Sequence, residues 1–350
     1  MPELLKNTFS SIWEGMSGIV MAPLNGQSHL FWIYSAMCLL MAAWSYRRFY
    51  LPAEKDGDGH FHLGRFFHFC FPKEMYTHPS AVVDYQIFLA NGFVKAFLRL
   101  FWLAGTVGLA ALVNRFMVLM FGNPNPDSQW TPGALIVGTI VIGLSSDFSS
   151  YLTHMISHNV KILWELHRVH HTAEVLTPIT LFRKHPLYDL VGGIIGTPIR
   201  ALTQGVMAYV FVGEMATITI FGGNLVYSIF RFFGANLRHS HIWFHWGSAL
   251  GRVFMSPAMH QIHHSVDPKH FNKNYGEILS LWDWLFGSLY LPKGREEITF
   301  GVAEGLAQEH PTLIDAYLIP LRNIGRIITG KEPLQPGAAV AKKAAVEAGT

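Results

Sequence analysis

The sequence predicts an all-α integral membrane protein: a bundle of about four to five membrane helices under a cytosolic, histidine-rich helical cap. Three observations carry that expectation. Half of the 350 residues are hydrophobic. Only 14% are charged, against about 25% in an average soluble domain, so much of the surface must face something other than water. The apolar residues also gather in runs close to the roughly 20 residues that cross a bilayer. A net charge of +3, with no basic stretch interleaved with aromatics, argues against nucleic acid as a partner. Two cysteines, Cys38 and Cys70, are too few for a disulfide framework or a thiolate zinc site. The N-terminus lacks the compact basic start, apolar core and small-residue cleavage site of a signal peptide.

The elements follow in order. Residues 1–27 are mixed and are expected to form a short amphipathic surface segment. A first apolar run, about Leu30 to Ser45, ends at Arg47 and Arg48. Residues 50–85, with Pro52, Gly57, Gly59 and four histidines, read as a loop with interfacial pieces. A second run covers about Phe97 to Phe121, and the composition of 123–133 marks a turn. A third run, about Ala134 to Leu152, leads straight into His154 and His158. Leu187–Val212 and Met215–Phe233 read as a helical hairpin broken at Gly213 and Glu214. From Arg238 to about Tyr290 the chain is polar and rich in histidine, and the tail from Gly337 is of low complexity. Three regions result: an N-terminal membrane region (1–130), a catalytic domain (131–292) and a C-terminal extension (293–350). The parity of the runs puts every histidine box at one membrane face. Arg47, Arg48, Lys55, Lys95 and Arg99 flank that side, which makes it cytoplasmic by the positive-inside bias.

Twelve of the nineteen histidines lie between 154 and 264. HMISH at 154–158, HRVHH at 167–171 and HQIHH at 260–264 place imidazoles at i, i+3 and i+4, on one face of a helix. Neutral imidazoles aimed at one place point to metal. The candidate ligands are His154, His158, His167, His170, His171, His260, His263 and His264. His239, His241 and His245, in LRHSHIWFH, and His185, in RKHPLYD, are further candidates. Ten or so ligands exceed what one ion takes and suggest two. HMISH lacks the glutamate of the zinc-protease box HExxH, and the boxes lack the carboxylates of soluble di-iron bundles, so a histidine-rich pair of irons is expected. Such a pair at the end of apolar helices would use O₂ to attack an unactivated C–H bond of a lipid entering from the bilayer. An apolar tunnel would keep water out. The alternative is a carrier or store of divalent metal, but transport calls for ionisable groups inside the spans, and these histidines sit at a helix end and in the cap.

The three boxes, in this order and followed by SVDPKHFNKNYGEILSLWDWLFGSLY, resemble the fatty acid hydroxylase/sterol desaturase superfamily, in particular its bacterial sterol desaturase-like members and alkylglycerol monooxygenase. The resemblance covers about residues 135–292. It implies a non-haem di-iron centre, O₂, two electrons per turnover from a separate reductase or redox protein, and a lipid or sterol-like substrate. It also implies that the eight box histidines bind metal, completed by His239 or His241 and by His245. Many members have asparagine where this chain has His241. A bacterial inner membrane is the expected location, with the endoplasmic reticulum as the alternative. Metal-bound imidazoles usually donate their other N–H to a carboxylate or carbonyl. Asp147, Glu165, Asp189, Asp267, Glu277 and Asp283 are placed to accept it, and Tyr151, Trp164, Trp243, Tyr275 and Trp282 to shape the site.

Overall fold

A computed structural model describes residues 17, 20–53, 59–211, 217–220, 223–302 and 309–334. Most of the segment before residue 27, Lys55, the Gly213–Glu214 break and the tail from Gly337 lie outside the described residues. The main helices are α1 (Trp32–Ser45), α2 (Leu63–Cys70), α3 (Pro79–Phe121), α4 (Pro132–Asn159), α5 (Lys161–His171) and α6 (Pro186–Val210). They continue with α7 (Leu225–Phe232), α8 (Pro257–His263), α9 (Leu281–Phe286) and α10 (Leu313–Ile328). Strands β1 (Thr219–Ile220) and β2 (Gly223–Asn224) form a two-residue antiparallel ladder.

Four helices begin with one local device. Proline occupies the first turn of α3, α4, α6 and α8, where its missing N–H costs nothing. The residue before it caps the helix: His78, Thr131, His185 and Ser256 each accept a backbone N–H of the first turn. Capping of this kind contributes about 1 kcal/mol per helix.

Helix α3 has 43 residues and so spans roughly 65 Å. Its first turns are buried at Ala81, Val83, Asp84 and Ile87. Its second half leaves the cap and is apolar and bare: Leu103 is 60% exposed and Leu119 75%. An apolar stripe of this kind would drive aggregation in water; in a bilayer it is the lipid face. Phe101–Phe121 and Pro132–Asn159 are both long and apolar enough to cross a membrane, and the protein is a mostly helical membrane protein. Helix α6 lies against α3 and α4. The α3–α6 approach is close because of Gly205: a Cβ there would meet the Ala110 carbonyl oxygen at 2.6 Å.

Two of the expected apolar limbs take other forms. Helix α1 has 14 residues, about 21 Å, against a hydrocarbon core about 30 Å thick. It buries Cys38 and Ala42 against Leu237 and Ile242. The limb expected at Met215–Phe233 is interrupted. Its described part is the β1–β2 ladder followed by the eight-residue α7, which starts where the Asn224 side chain accepts the Val226 N–H. The apolar character of the limb was legible, but a run of apolar residues alone does not separate a helix from strands.

The cap is locked by buried polar contacts. Arg183, wholly buried, pairs with Asp84 at 2.8 Å and donates to the Val169 carbonyl, so α3 and α5 are tied through one guanidinium. Helix α10 packs on α5, where Asn323 donates to Glu165 and Arg168 pairs with Glu309 at 2.5 Å. These contacts position the first histidine pentad. Around the second pentad, Gln261 donates to the Leu237 and Ile242 carbonyls. The loop after it is pinned by Asn274, which donates to the Met259 and Tyr290 carbonyls, and by Asp283, which accepts from Tyr275 and Gly276.

Candidate metal centre

The centre is assembled where four segments meet. Helix α4 ends at Asn159, one residue past His158, and the single residue Val160 (φ −106°, ψ 112°) separates it from α5. That one-residue joint folds α5 back on α4, bringing the HMISH and HRVHH rings together: His158 stands 4.8 Å from both His167 and His171, centroid to centroid. Helix α8 supplies the second pentad. His239 arrives at the end of the 3-10 turn Ala235–His239, whose entry needs the left-handed Gly234 (φ 85°).

Nine histidines form two adjacent groups. His154, His158, His167, His171 and His263 make one; His170, His239, His260 and His264 make the other. Within each group the ligand nitrogens lie within 4.8 Å of one another. Each pentad serves both groups. The outer pair of HRVHH (His167, His171) goes to the first and its inner His170 to the second; the outer pair of HQIHH (His260, His264) goes to the second and its inner His263 to the first. The i and i+4 rings share one direction on the helix while i+3 turns aside. This geometry explains why an HxxHH box is needed where HxxxH serves α4. The two groups touch through the stacked rings of His171 and His264, 4.5 Å apart.

The donor set fits metal. In the second group Nε2 of His239 lies 3.2 Å from that of His170 and 3.0 Å from that of His260, and His260 lies 3.3 Å from His264. An ion with metal–nitrogen bonds of about 2.1 Å holds its ligand nitrogens about 3.0–3.4 Å apart. In the first group, Nε2 of His154, His158 and His263 is buried with no hydrogen-bond partner. Buried polar atoms are rarely left so without a reason. The His154 Nδ1–H donates to the Tyr275 carbonyl and the His263 Nδ1–H to the Lys273 carbonyl, both at 2.7 Å. Those bonds fix the tautomer and turn the Nε2 lone pairs inward.

Electrostatics point the same way. Burial, and after it the neighbouring charges (chiefly other imidazoles, and Arg238 for His239), hold His167, His170, His171, His239, His260 and His264 well below the usual histidine range. Burial pushes His263 down to about 4, with the Lys273 carbonyl opposing it. Neutral rings keep their lone pairs for a cation.

The remaining candidates lie elsewhere. His185 caps α6, accepting the Leu187 N–H, while its other nitrogen faces the Tyr317 carbonyl at 3.1 Å. His241 donates to the Phe69 carbonyl at 2.7 Å. His245 shares a hydrogen bond with Ser256. The structure brings none of these three into either group. Several expected orienting carboxylates work on the backbone instead. Asp147 accepts from the Ile278 and Leu279 backbone and also from the Trp282 indole N–H, Asp283 from the Tyr275 and Gly276 backbone, and Asp267 from the Lys269 backbone. The Tyr275 and Lys273 carbonyls were not foreseeable, because every residue carries one.

The two groups open on a cavity of about 330 Å³ bounded by His154, His167, His170, His239 and His260. Residues 139–288 match the fatty acid hydroxylase family. That segment is similar to a fatty acid hydroxylase domain. The domain contains all nine clustered histidines. Among curated proteins, the chain is 28% identical to an ornithine lipid hydroxylase of Rhizobium tropici over 184 residues, 52% of this chain and 50% of that protein. It is 25% identical to alkylglycerol monooxygenase of Danio rerio over 184 residues, 50% of this chain and 34% of the relative. The Homo sapiens alkylglycerol monooxygenase is 24% identical over 185 residues, 53% and 36%. The hydroxylase-domain match thus spans half or less of the length of these relatives. No solved structure matches the chain significantly.

Proposed function

We propose that the chain is an oxidoreductase: a membrane-bound, non-haem di-iron enzyme that hydroxylates or desaturates a C–H bond of a lipid or sterol-like substrate with O₂. The observation that carries this reading is the sharing of both pentads between two touching histidine groups that open on one cavity. A single metal site would not need each box to face two ways. One ion would be held by His154, His158, His167, His171 and His263, the other by His170, His239, His260 and His264. Irons bound there would supply what acid–base side chains cannot, activation of O₂ and attack on an unreactive C–H bond.

The chain's own residues do the rest. Nine neutral imidazoles carry no charge, so the pair of ions stays more cationic than in a carboxylate site. The Tyr275 and Lys273 carbonyls keep the His154 and His263 rings aimed. The mostly buried rings exclude bulk water from the inner ends of the ligands. A second opening of about 220 Å³, beside His158, His171, His263 and Trp164, offers a route to the first group from the cap side. Oxygenation consumes two electrons and two protons per O₂, with one oxygen atom leaving as water, so a separate reductase or redox protein is part of the proposal. We place the centre at the cytoplasmic face of a bacterial inner membrane. The catalytic unit is taken as residues 131–292, with 1–130 and 293–350 as its membrane and cap supports.

The test is O₂ uptake by the purified protein given a reductant and a lipid extract, with mass analysis of the lipid. A product 16 Da heavier or 2 Da lighter is expected, and His263→Ala should abolish its formation. Exchangeable zinc with no O₂ uptake would point to a metal carrier instead.

A further inference from the structure

The cavity beside the histidines is not the apolar tunnel that an alkyl chain alone would want. Lys184, Asp189, Arg200, Arg238 and Glu277 all line it. Arg238 faces Glu277, whose carboxylate lies 4.0 Å away. Arg200 is different. It sits in α6, among apolar helices, and among the described residues no carboxylate lies within ion-pair distance of it. Among the described residues its guanidinium donates to two neutral oxygens, Ser149 Oγ at 3.2 Å and Thr197 Oγ1 at 3.4 Å. The helix makes room for it: a Cβ at Gly196 would stand 2.4 Å from Arg200 Nη1. Ser149 precedes His154 by five residues on α4, about 8 Å along the axis.

Behind Arg200 lies a second cavity of about 450 Å³, which shares Arg200 and Ser150 with the first. It adds Arg231, whose Nε is buried without a hydrogen-bond partner, and among the described residues no acidic one lines it. Trp102, on the wall of the inner cavity, likewise has a buried indole N–H without a partner. A cation held within an apolar bundle without a counter-charge is a functional feature by default, and guanidinium geometry suits oxyanions.

We propose that Arg200, with Arg231 behind it, is the binding site for an oxyanion, phosphate or carboxylate, carried on the lipid substrate. The site rests on the oxygenase reading in one respect: it puts the reacting carbon within a few bonds of the anionic group, near the headgroup end of the lipid and not deep in its tail. Alkyl chain and oxyanion then occupy one continuous space, with the histidine groups at one end and the arginines at the other.

Binding, and not turnover, tests this. Protein in a neutral maltoside detergent is titrated calorimetrically with dodecyl phosphate, dodecanoate and dodecan-1-ol. The alkyl oxyanions are expected to bind roughly tenfold or more tighter than the alcohol. Arg200→Gln should erase that preference and leave the affinity for the alcohol unchanged. Equal affinity for all three in the wild type, which requires no variant to fold, would overturn the proposal, as would a preference that survives in Arg200→Gln. Inorganic phosphate should fail to displace dodecyl phosphate at about hundredfold excess; displacement at equal concentration would assign the site to a free anion and overturn the lipid-borne part. The two readings fail separately. Protein without iron that still prefers oxyanions sinks the oxygenase alone, and a lipid oxygenase indifferent to oxyanions sinks this site alone.

Discussion

The histidine residues divide by what their second nitrogen does. His154 and His263 spend Nδ1 on carbonyls and leave Nε2 free, whereas His185 spends both nitrogens on backbone. His185 is thus a cap, and its two kinds of replacement should differ. His185→Asn, a good N-cap, should leave the metal content and thermal midpoint of the purified protein close to wild type. His185→Ala should cost about 1 kcal/mol with the metal retained. Loss of metal in the asparagine variant would return His185 to the ligands. The sequence offered a signal here, a histidine directly before the proline that opens an apolar run, repeated at His78–Pro79. Box spacing was legible because i, i+3 and i+4 are a property of any helix. The choice of His239 over His241 was not, since it depends on the turn entered at Gly234 and on the Phe69 carbonyl that takes up the His241 N–H.

Elements meet here through small residues and short joints. Gly205 lets α6 lie against α3, and a side chain there would meet the Val113 Cβ and the Ala110 carbonyl oxygen, and the carbonyl cannot rotate away. Gly205→Ala is expected to push the two helices apart and cost about 1–3 kcal/mol, read as a lower unfolding midpoint in detergent. An unchanged midpoint would mean that the approach is looser than described. The long apolar runs of α3 and α4 could be read from composition alone. The interruption of the last limb could not, because a run of apolar residues fits a helix or a hairpin equally well and tertiary packing decides. The buried Arg183–Asp84 tie between α3 and α5 was also hidden: its partners are 99 residues apart, and nothing local marks them. The strings NKNYG and WDWLFGSLY were legible as motifs, while their work is seen only in three dimensions, where Asn274 and Asp283 pin the loop whose carbonyls aim two histidines.

The whole molecule couples its cap to the centre through buried groups that titrate. His310 is 1% exposed, hydrogen-bonds Thr172 beside the first pentad, and is pushed down to about 3 by burial and by Arg183, Arg168 and His185. Its folded value lies below its unfolded one of about 6.5, so the unfolded chain binds the proton more readily. The corresponding stability is present above pH 6.5 and is lost as pH falls towards 3. The unfolding midpoint of the cap should therefore drop through that window, and His310→Gln should flatten the drop; an equally steep profile in the variant would remove His310 as its cause. We propose that the two histidine groups hold two irons side by side. The most direct measurement is metal content per chain with Mössbauer spectroscopy, on wild type, His263→Ala and His260→Ala. Two coupled irons are expected in the wild type and one in each variant, because each substitution strips a different group. Zinc in place of iron, or a single metal per chain that both substitutions remove, would contradict it.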